Sequence, residues 1–204
     1  MLPVRIPRFI QRFTPNVTWH IPGNNKVVYL TFDDGPTPGV TENVLEILER
    51  FDVKATFFCI GRNVERHPDL YLKIIAKGHL TGNHTYSHLK GWYTGNVTYF
   101  SDIELAGRLV NSTLYRPAYG MITPSQVRYL KDKYRIFMWS VLSYDYDSSL
   151  SPKNCFNNVT RFANNGSIIV FHDSVKAAER VLFSLPGVIE HFKTRGFSFN
   201  LLPS

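Results

Sequence analysis

The sequence is poor in the residues from which disulfide frameworks and low-complexity chains are built. Its 204 residues include 2 cysteines, 13 glycines and 12 prolines. Two cysteines are too few for a disulfide-stapled scaffold. This glycine and proline content is too low for a collagen-like or repetitive chain. Hydrophobic residues make up 44% and charged residues 19%, so we expect one globular domain with a sizeable core.

Long apolar runs are also missing. The longest, such as Ile168–Phe171, are far too short for a transmembrane segment. Residues 1–14 place Arg5, Arg8 and Arg12 between apolar residues and lack the continuous apolar core and cleavage site of a secretory signal. We interpret them as an amphipathic surface helix that packs on the domain, with weak membrane-surface contact as the alternative. Without a recognisable signal, the default compartment is the cytoplasm.

A large excess of clustered positive charge is absent as well. The formal net charge is +7 at pH 7, but the basic residues are scattered. The sequence has no Lys/Arg run, helix-turn-helix pattern or zinc-finger spacing. We therefore expect no nucleic-acid partner, while attraction to an anionic glycan or membrane surface remains open as a secondary effect.

Strand-like and helix-like segments alternate along most of the chain. β-Branched and aromatic runs predict strands at 26–32, 55–60, 80–83, 114–116, 134–142, 167–171 and 197–202. Apolar residues at helical spacing predict helices between them, the last at 175–195 with a break near Pro186. Repeated βα units imply a parallel sheet covered by helices. The predicted fold is α/β, a single-domain distorted (β/α)7–8 barrel whose functional groups follow the strand ends.

Two carboxylates and two imidazoles lie where such strands end. His84 and His88 are four residues apart, so both rings reach one metal ion if the segment is helical or a tight loop. Asp33 and Asp34 follow the first predicted strand; alone, they would be read as turn formers. One carboxylate with two imidazoles is a catalytic metal-ligand set that leaves room for water. The second carboxylate is then free to act as a base.

These residues resemble the motifs of NodB-type polysaccharide deacetylases, carbohydrate esterase family 4. Segments 31–36 (TFDDGP) and 84–88 (HTYSH) are similar to the first two family motifs. Segments 116–120, 139–146 and 168–173 follow in the order of the third, fourth and fifth. Five ordered motifs across nearly the whole chain are a specific signal, although each motif alone is weak.

The resemblance implies a metal site and a base. Asp34, His84 and His88 would bind a divalent metal, usually zinc, with cobalt or nickel as alternatives. Asp33 would be the general base, and Arg116 would hold it in place as a carboxylate.

The resemblance also implies how the leaving group and the acetyl group are handled. His172 would be the general acid. The backbone N–H of Tyr119 would help to stabilise the oxyanion. Ile168 and Val170 would line an apolar pocket for the acetyl methyl group.

One position departs from the family pattern. Leu142 stands at the first acidic place of the fourth motif, where the resemblance implies the carboxylate that partners the acid histidine. Asp145, Asp147 or Asp173 would have to replace it beside His172.

As a whole, the resemblance implies a catalytic domain over 26–204, preceded by an extension, 1–25, that packs on it. The implied function is a metal-dependent hydrolase that removes N-acetyl groups from N-acetylglucosamine-containing glycans such as peptidoglycan or chitin-like oligomers. The alternatives are an O-acetyl esterase on acetylxylan-type glycans, a hydrolase of cyclic amides, and a glycan-binding module with an impaired site. The expected partner is an acetylated glycan. The oligomeric state stays undetermined, and the family resemblance leaves an extracytoplasmic compartment open.

Overall fold

The computed structural model describes residues 4–5, 14–23 and 25–203. Its strands, in chain order, are β1 Val17–Thr18, β2 Val27–Asp33, β3 Thr56–Cys59, β4 Leu80–Asn83, β5 Leu114–Tyr115, β6 Arg135–Phe137, β7 Val141–Leu142, β8 Ile168–His172 and β9 Ser198–Phe199. The longer helices are α1 Thr41–Arg50, α2 Gly61–Arg66, α3 Pro68–Ala76, α4 Asn96–Gly107, α5 Pro124–Leu130, α6 Pro152–Phe162 and α7 Ala178–Lys193.

The strands form one parallel sheet that confirms the expected distorted barrel. Their order is β1-β6-β5-β4-β3-β2-β8-β7, and β9 pairs with β2 off this path. The chain passes from β6, next to one end of the sheet, to β7 at the other end through residues 138–140 only. Since Phe137 and Val141 are four residue steps apart along the chain, their Cα atoms are separated by about 14 Å at most, and the two ends lie close together. The single strand predicted over 134–142 is wrong because this segment pairs first with one end of the sheet and then with the other.

Side chains along the central strands point alternately to the two faces of the sheet, so the core has two layers. Val28, Leu30 and Phe32 of β2 pack in the cluster that includes the helices. Successive side chains of a strand point to opposite faces, so Thr31 and Asp33 face the barrel interior. The same alternation applies to β8, whose inward residues join a second cluster with Leu142 and Trp139. The polar groups at the strand ends are thereby directed to one side of the barrel.

Helix α7 differs from the prediction of a break near Pro186. It continues through Pro186 to Lys193. A proline inside a helix removes one backbone hydrogen bond. Here Leu185, Val188 and Ile189 are buried around it, and this tertiary packing outweighs the local penalty. The short helix α2 was not predicted because six residues with one buried apolar side chain, Val64, show no clear helical period.

The predicted N-terminal helix over 1–14 lies almost entirely outside the described residues. Arg5 forms an antiparallel bridge with Val141. Strand β1 belongs to the predicted extension and pairs with β6; the division of the chain at residue 25 stays a prediction. Cys59 and Cys155 are buried and unbridged. Every helix in the described part of the chain is too short or too polar to cross a bilayer.

Candidate active site

The predicted site residues gather in one cleft at the carboxyl ends of the strands. The register of β2 and β8 pairs Asp33 with His172, so the two side chains emerge side by side. The cleft has a volume of about 480 Å³. Its walls are formed by Asp33, Asp34, His84, His88, Tyr119, Met121, Trp139, Leu142, Tyr146, Val170, His172, Ser174 and Lys176.

Asp34, His84 and His88 bring their donor atoms to within 4.8 Å of one another. Oδ1 of Asp34 lies 3.7 Å from Nε2 of His84 and 3.2 Å from Nε2 of His88. Nδ1 of His84 donates to the Arg116 carbonyl oxygen at 2.8 Å, which leaves its Nε2 facing Asp34. Positive φ angles at Thr85 (65°) and His88 (59°) make this segment a tight loop that turns both rings to one point.

This donor set fits a divalent metal ion. Two imidazole nitrogens and one carboxylate oxygen are ligands that zinc binds well, and the arrangement leaves further coordination positions open. Burial and the neighbouring His84 lower the pKa of His88 to about 4, so its imidazole is neutral near pH 7 and available as a ligand. A hydrogen bond from the ring nitrogen that does not face the metal site to a carbonyl group, as His84 makes, is typical of metal-binding histidines.

Arg116 anchors Asp33 from inside the barrel. Its side chain is fully buried, and Nη1 donates to Oδ1 of Asp33 at 2.6 Å and to the Thr31 hydroxyl at 2.7 Å. Nη2 donates to the Met138 carbonyl oxygen at 2.9 Å, and the guanidinium lies 4.1 Å from the centre of the Phe58 ring. The many contacts of the guanidinium fix one orientation of the Asp33 carboxylate.

Asp145 is the carboxylate that partners His172. Nδ1 of His172 donates to Oδ1 of Asp145 at 2.7 Å. Burial would lower the pKa of His172, but the charge of Asp145 and this hydrogen bond raise it to about 10. Arg180 in turn donates to the Asp145 carbonyl oxygen at 2.6 Å. Of the two other candidates, Asp147 accepts hydrogen bonds from the following turn, and Asp173 bonds to the loop after β2.

Of the three carboxylates expected to replace the acid missing at Leu142, the structure places Asp145 beside His172. Leu142, three residues earlier, lines the cleft as an apolar residue beside Val170. The expectation that Ile168 lines the acetyl pocket is corrected, since Ile168 is fully buried and does not line the cleft. It points to the same face of β8 as Val170 but lies two residues, about 6.6 Å, deeper in the barrel.

Aromatic rings surround the mouth of the cleft. Tyr119 has a positive φ of 59°, and its ring centre lies 4.5 Å from that of His88. Tyr146 meets His172 edge-on with a ring separation of 5.1 Å. Sequence reasoning did not assign Tyr146 or Lys176 to the site. Tyr146 stands in the fourth motif and was therefore detectable, but no sequence signal singles out Lys176.

The sequence model of the polysaccharide deacetylase family matches residues 20–133, more than half of the chain. This chain belongs to that family. A peptidoglycan-N-acetylglucosamine deacetylase of Bacillus cereus is 31% identical over 194 residues, covering 91% of each chain. A chitooligosaccharide deacetylase of Rhizobium leguminosarum bv. trifolii is 29% identical, covering 88% of this chain and 92% of the relative.

The fold of the deacetylase is similar to that of solved relatives. A peptidoglycan N-acetylglucosamine deacetylase, crystallised with a naphthyl-substituted N-hydroxybenzamide, superposes with a TM-score of 0.87 at 32% identity. The match covers 96% of this chain and 94% of that chain. The deacetylases of carbohydrate esterase family 4 are metal-dependent, and the Asp34–His84–His88 cluster of this chain has the donor groups that such a metal needs.

Proposed function

We propose that this deacetylase removes N-acetyl groups from N-acetylglucosamine residues of peptidoglycan or related chitin-like glycans, with zinc as its metal and cobalt or nickel as substitutes. The proposal is supported by relatives that deacetylate peptidoglycan and chitooligosaccharides. The observation that carries it is the pairing of Asp33 with His172 at the end of neighbouring strands, next to the three metal-binding side chains.

Asp33 is the base in this proposal. Arg116 holds one carboxylate oxygen of Asp33 at 2.6 Å, so the carboxylate is oriented before substrate binds. A divalent cation held by Asp34, His84 and His88 would lower the pKa of a water molecule and polarise the acetyl carbonyl group. Asp33 accepts the proton of the attacking water as the new C–O bond forms.

His172 is the acid. Asp145 keeps the imidazole protonated and presents its other nitrogen to the cleft. His172 gives its proton to the amide nitrogen as the C–N bond breaks, so that acetate and a free amine leave. The backbone N–H of Tyr119 stabilises the oxyanion.

The apolar wall of the cleft binds the acetyl methyl group. Leu142, Val170 and Trp139 line this wall, and they exclude water from one side of the reacting carbon. A pocket of this kind favours a short acyl group, because a longer one would have to displace buried side chains.

Acetate release from chitin oligomers, peptidoglycan and acetylxylan tests the proposal, with zinc, cobalt or nickel supplied and a chelator as the control. We expect chelator-sensitive release from the N-acetylated glycans. Release from acetylxylan alone would favour an O-acetyl esterase. Binding without turnover by metal-loaded protein would favour an impaired glycan-binding module.

Two substitutions separate the base from the metal ligands. Asp33→Asn should retain zinc and lose most turnover, whereas His84→Ala should lose zinc itself. Asp132→Asn and His191→Ala, which lie outside the cleft, are the matched controls. Zinc content is measured by atomic absorption beside acetate release, so that loss of metal and loss of catalysis are distinguished.

A further inference from the structure

A second groove adjoins the active-site cleft. Its volume is about 640 Å³, and it shares Tyr119, Met121 and Trp139 with the cleft. We propose that this groove binds a further sugar residue of the same glycan and places an acidic substituent of that glycan against Arg128 and Lys131. The inference rests on the proposed function, because it assigns the continuation of the substrate whose acetamide group occupies the cleft.

The two depressions adjoin at these shared residues, and Tyr119 between them is 48% exposed. In this proposal, a glycan with one residue in the cleft continues over Tyr119 and Met121 into the groove. The volume lies within the range of roughly 300–1,000 Å³ that is typical of small-ligand sites. The groove therefore has room for a sugar ring and a substituent.

Two tryptophans supply flat faces for such a ring. Nε1 of Trp92 donates to the Ile122 carbonyl oxygen at 3.0 Å, and Nε1 of Trp19 donates to the Thr14 hydroxyl at 2.8 Å. These bonds fix both indoles and satisfy their polar atoms inside the protein. Trp92 nevertheless remains 59% exposed. A rigid, exposed aromatic face of this kind suits the apolar face of a sugar.

The charged residues that line the groove in the described part of the chain are both basic. Arg128 of α5 and Lys131, just beyond it, both line the groove and are exposed. None of the ion pairs found in the described part of the chain involves either residue, and no acidic residue in that part lines the groove. Arginine and lysine at such a site favour a carboxylate, so the groove should bind a glycan that carries a carboxylate more tightly than a neutral glycan.

Substitution of Trp92 tests whether a sugar ring packs on the aromatic face of the groove. Dissociation constants are measured by calorimetry in the Asp33→Asn background, which keeps the glycan intact, for the N-acetylglucosamine monosaccharide and a long oligomer. Trp92→Ala should weaken binding of the oligomer roughly tenfold and leave the monosaccharide unchanged. Tyr93→Ala is the matched control, because Tyr93 is 78% exposed but does not line the groove.

Equal effects of Trp92→Ala on both ligands, or no effect on the oligomer, would overturn the groove assignment. Because the readout is binding, this result is independent of acetate release. A protein that binds long oligomers through Trp92 but releases no acetate would refute the proposed function and retain the groove.

A double substitution that neutralises Arg128 and Lys131 tests whether the groove binds an acidic substituent. Arg128→Gln/Lys131→Gln should weaken binding of a peptidoglycan fragment with free carboxylates by about fivefold or more and leave binding of a neutral chitin oligomer of equal length unchanged. Arg66→Gln/Lys73→Gln removes the same charge from α2 and α3, outside the groove, and should change neither ligand. If both pairs weaken the acidic fragment equally, general attraction explains the effect and the carboxylate assignment is wrong. Equal losses for the acidic and neutral ligands would also refute it.

Discussion

Asp145 holds His172 by both its ring and its backbone. One carboxylate oxygen accepts from Nδ1 at 2.7 Å, and the other accepts from the backbone N–H at 2.6 Å. The carboxylate is fully buried, so it controls the orientation and the protonation of the imidazole together. These two hydrogen bonds join the fourth motif, which contains Asp145, to the fifth motif, which contains His172, although the motifs are separated along the chain.

Asp145→Asn should shift the pH dependence of catalysis. The charge of Asp145 raises the pKa of His172, so its removal should lower that pKa. Because the acid must be protonated, the alkaline limb of the pH–rate profile should move to lower pH, with a loss of kcat of at least tenfold. Asp147→Asn is the control, since Asp147 bonds to Ser149 instead. An alkaline limb that stays in place would remove Asp145 from this role.

The metal-free protein should lose stability as the pH rises through the alkaline range. The pKa of His172 is about 10 in the folded chain against 6.5 in the unfolded chain. The protonated pair therefore stabilises the fold fully below pH 6.5, and this contribution falls away as the pH rises toward 10. Urea unfolding across this interval measures the decline. Asp145→Asn should flatten it; the same slope in both proteins would contradict the assignment.

Arg116→Met should destabilise the barrel as well as impair catalysis. The substitution leaves the Asp33 carboxylate buried without its cation and removes the donors to Thr31 and Met138. Breaking one side of a buried ion pair costs about 3–5 kcal/mol. Urea denaturation should show a loss of this order in the free energy of unfolding. The double variant Arg116→Met/Asp33→Asn should recover part of it. A loss below about 1 kcal/mol would show that the pair contributes little.

Asp173 should control metal affinity without touching the metal. Its carboxylate accepts from the Gly35 backbone N–H at 3.0 Å and from the Thr41 hydroxyl at 2.6 Å. These bonds hold the loop that follows Asp34. Asp173→Ala should weaken zinc binding about 10–100-fold, the range seen when residues supporting metal ligands are removed.

Chelator competition measures that affinity. Thr41→Ser is the control, because serine keeps the hydroxyl donor to Asp173. Asp173→Asn should retain the acceptor for Gly35 and lose less than the alanine variant. Unchanged zinc affinity in Asp173→Ala would show that the loop holds its position by other contacts.

Much of the site was predictable because its residue types and their order are local properties. Imidazoles four apart and adjacent carboxylates after a β-branched run are visible without coordinates. Strand alternation also places Asp33 and His172 on inward faces. Ile168 was expected in the acetyl pocket but does not line it. Strand alternation predicts on which face of the sheet a side chain lies, but not how deep in the barrel it lies.

The amino-acid sequence alone determines the donor groups, the strand–helix alternation and the order of the five motifs. Only the three-dimensional arrangement selects Asp145 over Asp147 and Asp173, splits 134–142 between two strands and opens the groove beside Trp92. The physical reason is separation along the chain. Asp145 and His172 are 27 residues apart, and their contact exists because β7 pairs with β8 at one end of a nearly closed sheet.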